Sequence, residues 1–496
     1  MGYGDVSAFN EHAAFQTRWL DEMSREGMSF TDAHATSSLC TPSRYGILTG
    51  RYNWRSELKS DVLSGFSGAL IEEGRVTMSE MLRRCGYRTA AIGKWHLGMD
   101  FAKTERYNES NRSEYLMDES DREFFYAPEG LDYSGQIENA PVTRGFDYFF
   151  GISGSLDMPP YVYIENDRFT EEPDHETYSF GDGRLKTGNA FWRKGPTGPS
   201  FVHEEVLPTF TGRVLDKIEE YSRSDDPFFI YFPMNAPHAP LLPSKEFRGK
   251  SGVNDYCDFV MMVDDAVGQV VRKLKECGVY EDTIVVFTAD NGCSWVADIP
   301  ELLEHGHNPS YIFRGLKADI FEGGHRIPYI ITYPRLIAGG TKSNALVSLC
   351  DLMATMAELL GFELADNMAE DSVSNLPLWT GVADAVREDL IHQSGDGSLS
   401  LRRGAFKLEM CAGAGGYYTY PFKEEDLVGL PGIQLYKLDE DIGEQNNVYA
   451  EYPEVVQELK ERLRQYVKNG RSTPGKPQKN QGAEVWKTAS WLAEEI

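Results

Sequence analysis

Apolar positions along the chain predict helices that alternate with short strands. Between residues 256 and 276, apolar side chains recur every three or four positions from Phe259 to Leu274, which is the spacing of one helix face. A second helix is expected to open at Thr77, because Thr77 and Glu80 form a capping-box pair. Apolar runs of strand length lie at 87–92, 228–232, 283–288 and 328–332. This alternation predicts an α/β fold with a large, mainly parallel sheet flanked by helices.

The pattern changes after about residue 370. Short runs such as LSLRRGAFKLEM and GIQLYKL are separated by glycine and proline, which predicts an antiparallel sheet, and a helix is expected near 453–467. We therefore expect a large domain over 1–370 and a smaller α+β domain over 371–496 that ends in an extended tail. Polar inserts at roughly 101–140 and 165–200 are expected to form surface loops.

The composition argues against several classes of protein. The chain has 77 acidic and 49 basic side chains, a formal charge of −28, whereas a nucleic-acid-binding protein carries a basic face. No apolar run approaches the roughly 20 residues that a membrane-spanning helix needs. The seven cysteines are scattered and include no CxxC pair, so they form neither a disulfide framework nor a zinc motif.

Chemically reactive side chains repeatedly follow the predicted strands. Lys94 and His96 come after 87–92, His238 after 228–232, and Asp290 and Asn291 after 283–288. Each has an ordinary explanation: a solvated lysine, a structural histidine, or a DNG turn. Because ligands bind at the carboxyl ends of parallel strands, however, their repeated position there predicts a site at that edge of the sheet.

The stretch CTPSRYGILTGR places Cys40 and Arg44 in a turn at the head of an apolar run. It resembles the first signature of the type I sulfatases, C-x-P-S-R followed by L-T-G-R, and GYRTAAIGKWHLG resembles the second. The resemblance continues through GFDYFFGISGSLD, NAPHAP, FTADNG, FRGLKADIFEGG and SLCDLMATM, so it spans nearly the whole chain. It implies the fold of the alkaline phosphatase superfamily, with 1–370 as the catalytic domain.

This resemblance implies that Cys40 is oxidised to formylglycine, an aldehyde. The modification would be made by a formylglycine-generating enzyme or an anaerobic sulfatase-maturating enzyme. One hydroxyl of the hydrated aldehyde attacks sulfur and expels the alcohol, which leaves a covalent sulfo-enzyme. The second hydroxyl then loses its proton, the aldehyde re-forms, and sulfate leaves. Such a mechanism meets the need of a poorly electrophilic anion for a strong nucleophile and for charge neutralisation.

The resemblance also assigns roles to individual side chains. His96 is the base of the second step, and His238 protonates the leaving alcohol. Lys94 and Lys317 hold the sulfate oxygens, and Arg44 steadies the hydrated aldehyde. The remaining assignments are Ser155, Asp157 and His325 as substrate contacts, and Asp290 and Asn291 as ligands of a calcium ion.

The N-terminus departs from the family pattern. The family has two further metal ligands, adjacent aspartates just before a GYGD-like segment, whereas this sequence opens with MGYGD. We expect that the sequence was started at an internal methionine, and that the native form continues upstream with a strand, the aspartate pair and a signal peptide. The native form is then expected to be periplasmic or secreted, and otherwise cytoplasmic. The alternative is a genuine but impaired form of the enzyme.

Three alternatives to a sulfatase remain open from the sequence. A phosphate or phosphonate ester hydrolase could use the same fold and aldehyde, a catalytically inactive protein could bind the ester, and a thiol hydrolase could use Cys40 with His238. The substrate is expected to be a sulfated carbohydrate, such as a sulfated galactan or glycosaminoglycan. Tyr161, Tyr163 and Trp192 would stack on its sugar rings, or else pack in the core.

Overall fold

The computed structural model describes residues 1–107, 130–180, 190–417, 419, 421 and 423–493. Its α-helices are α1 Arg18–Glu26, α2 Cys40–Thr49, α3 Met78–Arg84, α4 Val206–Tyr221, α5 Asp255–Glu276, α6 Ile299–Glu304, α7 Glu322–His325, α8 Asp351–Leu360, α9 Leu376–Trp379, α10 Glu424–Leu427 and α11 Pro453–Asn469. Its strands are β1 Met28–Phe30, β2 Ala33–His34, β3 Arg88–Lys94, β4 Tyr148–Ile152, β5 Ile164–Glu165, β6 Arg168–Phe169, β7 His175–Phe180, β8 Phe191–Thr197, β9 Phe228–Tyr231, β10 Val285–Thr288, β11 Tyr329–Thr332, β12 Thr341–Ser343, β13 Val347–Ser348, β14 Asp389–Gln393, β15 Leu399–Arg403, β16 Phe406–Glu409 and β17 Gln434–Lys437.

The chain divides into two compact units. Unit 1 comprises Met1–Val62, Glu281–Trp295 and Ile299–Ile496, and unit 2 comprises Leu63–Tyr280 and Val296–Asp298. The C-terminal residues 371–496 therefore belong to the same compact unit as the first 62 residues. The sequence-based boundary near residue 370 stays a prediction.

Unit 2 contains a five-stranded sheet in the order β6-β5-β4-β3-β9. Its strands β4, β3 and β9 are parallel, whereas β5 and β6 pair antiparallel at the edge opposite β9. Helix α5 begins where the Asn254 side chain accepts a hydrogen bond from the backbone N–H of Cys257. Helix α3 begins in the same way, since the Thr77 side chain accepts from the backbone N–H of Glu80. The helices predicted near Thr77 and over 256–276 are confirmed.

Unit 1 contains a four-stranded mixed sheet and a four-stranded antiparallel sheet. The mixed sheet has the order β10-β11-β1-β12, in which β11 runs antiparallel to both β10 and β1. The antiparallel sheet has the order β14-β15-β16-β17, the meander predicted after residue 370. Leu459 and Leu463 of α11 share a buried cluster with Leu401 and Leu408 of this sheet, so helix and sheet form one core layer.

The four predicted strands correspond to β3, β9, β10 and β11, and the α/β fold class with a C-terminal antiparallel sheet is confirmed. Strand β4 and the β7–β8 hairpin were not predicted. The hairpin lies in the insert expected to be a loop, and part of each insert lies outside the described residues. No helix in the described part of the chain is both long enough and apolar enough to cross a membrane.

Candidate active site

Cys40 is the first residue of helix α2 in unit 1. The whole helix is buried, and the Cys40 side chain is 3% exposed. The preceding turn is held by hydrogen bonds: the Ser43 hydroxyl donates to the carbonyl of Ser37, and the backbone N–H of Ser38 donates to the carbonyl of Gln393. A side chain at the first turn of a helix lies beside backbone N–H groups that have no partner within the helix. Position 40 is therefore suited to hold an anion.

Arg44 lies one helical turn after Cys40, and its guanidinium binds Asp290 in the loop that follows β10. Its Nε and Nη2 are both 2.8 Å from Oδ2 of Asp290. The guanidinium is almost buried, so this ion pair fixes its position. Unit 1 thus brings together Cys40, Arg44 and Asp290 from segments that are far apart in the sequence.

Lys317 is attached to the same turn through its backbone. Its N–H donates to the carbonyl of Cys293 at 2.8 Å, and the N–H of the next residue, Ala318, donates to the carbonyl of Ser38 at 2.9 Å. Ala318 has φ +80°, a conformation that alanine seldom adopts. Gly395 donates its N–H to the carbonyl of Ala318, so the C-terminal part of the chain supports this segment as well.

In unit 2, Lys94 is the last residue of β3, and His96 follows it at the carboxyl edge of the parallel strands. Lys94 is 2% exposed, and its N–H donates to the carbonyl of Pro233 after the neighbouring strand β9. The N–H of His96 donates to the carbonyl of Ser153 after β4, on the other side. His96 has φ +57°, and strained backbone of this kind is concentrated at functional sites. Loops from three adjacent strands therefore meet here.

The ring contacts of His96 and His238 determine which nitrogen carries the proton. Nε2 of His96 lies 2.7 Å from the carbonyl oxygen of Leu63, so Nε2–H donates and Nδ1 of the neutral ring is the basic atom. Nδ1 of His238 lies 2.8 Å from the carbonyl oxygen of Ala239, so Nδ1–H donates and the lone pair of the neutral ring is on Nε2. These arrangements allow both rings to act as an acid or a base.

Asp157 lies beside His238 in unit 2. Its Oδ1 is 3.9 Å from Nδ1 of His238. Its Oδ2 binds the Nη1 of Arg193, whose backbone N–H also donates to the Asp157 carbonyl. Arg193 was not identified from the sequence, because it lies in the β7–β8 hairpin without a recognisable motif. Only the fold shows its pairing with Asp157.

His325 is fully buried in unit 1, within a group of side chains from β2, α7, β14 and β16. Its ring stacks on His392 with centroids 3.8 Å apart, and its Nδ1 is 3.0 Å from Nδ1 of His34. Lys407 can donate to Nε2 of His325, and Nε2–H of His34 donates to Asp32. The rings of His325 and His392 are stacked, whereas the His34 ring is tilted by 38° to His325 and by 45° to His392. Because burial favours the uncharged form of all three rings, we describe this set as a neutral histidine cluster. We do not include His325 among the proposed substrate contacts.

The histidine cluster is expected to make the protein sensitive to acid. Burial lowers the pKa of His34, His325 and His392 below the ordinary value. The unfolded chain therefore binds protons below about pH 6.5 that the folded chain excludes, and the free energy of unfolding decreases as the pH falls. Each histidine adds up to about 1.4 kcal/mol per pH unit. Urea unfolding at pH 7 and pH 5.5 measures this slope.

A variant pair tests the origin of that slope. We expect His392→Leu to make the free energy of unfolding less dependent on pH in this interval, because one proton is no longer bound on unfolding. The same substitution at His12, which is exposed, should leave the slope unchanged. Equal slopes for the wild type and His392→Leu would contradict the assignment of a buried neutral ring.

The three aromatic residues considered for sugar stacking have partners within unit 2. Tyr161 is 1% exposed, and its hydroxyl donates to the carbonyl of Arg193. Tyr163 stacks on Phe150, and Trp192 stacks on His203 with centroids 4.2 Å apart. Core packing explains Tyr161 and Tyr163, whereas Trp192 keeps part of its surface exposed.

Asp290 and Asn291 fit part of a calcium site. Asn291 is 4% exposed, its Nδ2 donates to the carbonyl of Gly292, and its Oδ1 has no hydrogen-bond partner among the described residues. Buried oxygens of this kind are the ligands that calcium prefers. Asp290 adds a carboxylate, although Arg44 already binds one of its oxygens. Calcium is coordinated by about six to eight oxygen atoms, so these two residues supply only part of its ligands.

Comparisons with known proteins identify the family of this chain. A family model described as Sulfatase matches residues 1–362. The N-acetylgalactosamine-6-O-sulfatase of Bacteroides thetaiotaomicron is 30% identical, over 93% of this chain and 90% of that relative. Arylsulfatase A of Homo sapiens is 29% identical, over 93% of this chain and 84% of that relative. A solved structure from work on the metabolism of multiple glycosaminoglycans by Bacteroides thetaiotaomicron has a TM-score of 0.77 at 29% identity, covering 94% of this chain and 96% of that one.

The match of the family model spans most of the chain and contains every residue assigned to catalysis from the sequence. The fold agrees with that of the solved relative along nearly its full length. The chain therefore belongs to the sulfatase family and is a sulfuric ester hydrolase.

Proposed function

We propose that this sulfatase hydrolyses sulfate esters of a carbohydrate, and that the 6-O-sulfate of an N-acetylhexosamine in a glycosaminoglycan is its substrate class. The observation that carries the proposal is the 30% identity to an N-acetylgalactosamine-6-O-sulfatase over 93% of the chain. The similarity to a structure from work on glycosaminoglycan metabolism supports the same class.

The reaction requires cationic groups that neutralise the sulfate, and the proposal assigns this task to Lys94, Lys317 and Arg44. Lys94 is buried, and an ammonium group in a site of low polarity interacts strongly with an anion. The proposal includes conversion of Cys40 to formylglycine and a covalent sulfo-enzyme intermediate, as the family resemblance implies. Calcium, held by Asp290 and Asn291 with further ligands, would supply a positive charge that polarises the sulfate.

The proton transfers are assigned to the two histidines of unit 2. His96 keeps Nδ1 unprotonated because Nε2–H donates to the Leu63 carbonyl, which suits a general base. In neutral His238 the lone pair is on Nε2, because Nδ1–H donates to the Ala239 carbonyl, and the proposal assigns to this ring the proton donation to the leaving alcohol. The carboxylate of Asp157 lies 3.9 Å from the ring that makes this transfer.

Ser155 and Asp157 are proposed as contacts to the substrate. Both are buried in the loop after β4, and Ser155 Oγ and Asp157 Oδ1 have no hydrogen-bond partner in the described part of the chain. Buried polar atoms are seldom left without partners, so these two are suited to bind a ligand. Arg193 would hold the Asp157 carboxylate in place while its Oδ1 accepts a hydroxyl.

Turnover assays with matched substrates test the proposed function. The protein, with formylglycine at position 40 verified by mass spectrometry, is assayed on 4-nitrophenyl sulfate, 4-nitrophenyl phosphate and a panel of 6-sulfated monosaccharides, with added calcium and with a chelator. We expect sulfate cleavage that exceeds phosphate cleavage, loss of activity with the chelator, and a preference for the sulfated amino sugar.

Each alternative has its own outcome in this assay. Faster cleavage of the phosphate ester would favour the phosphate- or phosphonate-hydrolysing alternative. Activity on the aryl sulfate without activity on any sulfated sugar would contradict the carbohydrate assignment. A modified protein that cleaves neither ester would be the impaired form. An active preparation with an unmodified thiol at position 40 would favour thiol chemistry.

A further inference from the structure

Asn235 is a buried amide in the loop after β9, three residues before His238. Its side chain is 1% exposed, yet neither Oδ1 nor Nδ2 has a hydrogen-bond partner within the described ranges. Leaving such a group unsatisfied is costly, and most buried polar groups in native proteins have partners. An amide that lacks both a donor and an acceptor partner therefore requires a physical explanation.

The position of Asn235 suggests that its partner is a ligand. Strands β4, β3 and β9 are parallel neighbours, so the loops that follow them emerge at one edge of the sheet. The loop of Asn235 is attached there, since the N–H of Lys94 donates to the carbonyl of Pro233 at 2.8 Å. Lys94 and His96 come from the middle strand of the three, and His238 from the same loop as Asn235.

The same edge holds the other unsatisfied groups of the proposed site. Ser155 Oγ and Asp157 Oδ1, in the loop after β4, are likewise buried and without hydrogen-bond partners among the residues described. Asp157 Oδ1 is 3.9 Å from the His238 ring, which places these loops side by side. Buried polar atoms from two loops of unit 2 are thus left for a molecule that the protein itself does not supply.

We infer that Asn235 is a specificity-determining residue that hydrogen-bonds the sugar ring of the substrate beside the sulfate ester. Its Nδ2 donates and its Oδ1 accepts, a combination that matches a sugar hydroxyl, since each hydroxyl both donates and accepts. The ring of 4-nitrophenyl sulfate has no hydroxyl that both donates and accepts. The inference rests on the proposed function, because it deepens the assignment of a carbohydrate substrate to this site.

The test compares Asn235→Leu with the wild type on two substrates. Leucine keeps the approximate size of asparagine and removes both unsatisfied groups. We expect kcat/KM for N-acetylgalactosamine 6-sulfate to fall by about 10- to 100-fold, mainly through a higher KM, because the bonds to the sugar are lost. The decrease for 4-nitrophenyl sulfate should be at least about tenfold smaller, because no sugar bond is lost with that substrate.

Thermal stability distinguishes this role from a structural one. If the partner of Asn235 is the substrate, the free protein loses no bond in Asn235→Leu, and Tm should be unchanged or raised. Asn166→Ala is the matched control, because Asn166 Oδ1 accepts a hydrogen bond from the backbone N–H of Phe149 within unit 2. We expect its Tm to fall by about 2–4 °C and its ratio of sugar to aryl activity to stay unchanged.

Every outcome supports or overturns the inference. Equal losses on both substrates, or a Tm decrease like that of Asn166→Ala, would overturn the inference. An unchanged kcat/KM on the sugar would overturn it as well, since the partner of the amide would then be a water molecule or another group and not the substrate. Asn235→Ala gives the same comparison if the leucine variant does not fold. If the wild type cleaves aryl sulfate but no sulfated sugar, the proposed function fails, and the inference fails with it. If the wild type is active on the sugar, the proposed function holds and the variant tests the role of Asn235 alone.

Discussion

Replacement of Cys40 by alanine is expected to abolish sulfatase activity, with a decrease of at least about 10⁴-fold in kcat/KM on both aryl and sugar sulfates. Removing a catalytic nucleophile has effects of this size in enzymes with covalent intermediates. The decrease should be seen without loss of folding, because alanine adds no atoms to the buried first turn of α2. Steady-state kinetics and circular dichroism measure the two properties.

The matched control for this experiment is Cys85→Ala. Cys85 is half-buried in unit 2 and has no assigned role, so kcat/KM should stay within about twofold of the wild type, as for a change away from the site. Mass spectrometry of the peptide containing residue 40 should show the lower mass of the aldehyde in the active wild type. Substantial turnover by Cys40→Ala would refute the assignment of position 40 as the nucleophile.

The second large effect is expected from His238→Ala, and its size should depend on the leaving group. A sugar alkoxide is a poor leaving group and needs a proton, whereas 4-nitrophenolate leaves without one. We expect kcat to fall by about 10²- to 10⁴-fold on a sulfated sugar, and by at least about tenfold less on 4-nitrophenyl sulfate. If His238 is the required acid, kcat of the wild type falls at high pH, where the ring is deprotonated. In the variant, kcat should no longer fall at high pH.

His175→Ala serves as the control for this variant. His175 is an exposed histidine of the β7–β8 hairpin that pairs with Asp174, and its removal should leave both activities unchanged. If His238→Ala loses the same factor on the two substrates, proton donation to the leaving group is not the role of His238. A function in binding the sulfate itself would then explain the loss.

The sequence predicted those parts of the fold that local patterns determine. Helices α3 and α5 have polar caps and apolar positions on one face. Strands β9, β10 and β11 are short apolar runs and β3 contains the apolar run AAI, so each was found without tertiary information. Strand β4 was missed because its YFFGI run contains glycine, which weakens strand propensity. The structure explains Gly151: a Cβ there would lie 1.9 Å from the carbonyl oxygen of Gly93. That requirement depends on a neighbouring strand.

For the candidate site, the sequence identified candidate catalytic residues but did not predict the contacts between them. The segments with Cys40, Lys94, His96 and His238 were found because reactive side chains follow strands or a specific motif. The ion pair of Arg44 with Asp290 and the bond from Arg193 to Asp157 depend on long-range packing. Sequence proximity alone suggested a substrate role for His325, which the fold instead places in a buried cluster.

Unit 2 is almost one continuous segment, whereas unit 1 is assembled from both ends of the chain. The backbone bond between Ser38 and Gln393 joins residues 355 positions apart. At a synthesis rate of about 5–20 residues per second, the ribosome needs roughly 20–70 seconds to make the chain between them. During that interval residues 63–280 can fold, while the turn containing Cys40 still lacks the partner that closes it. A nascent chain therefore presents this turn in an open form long before the finished protein buries it.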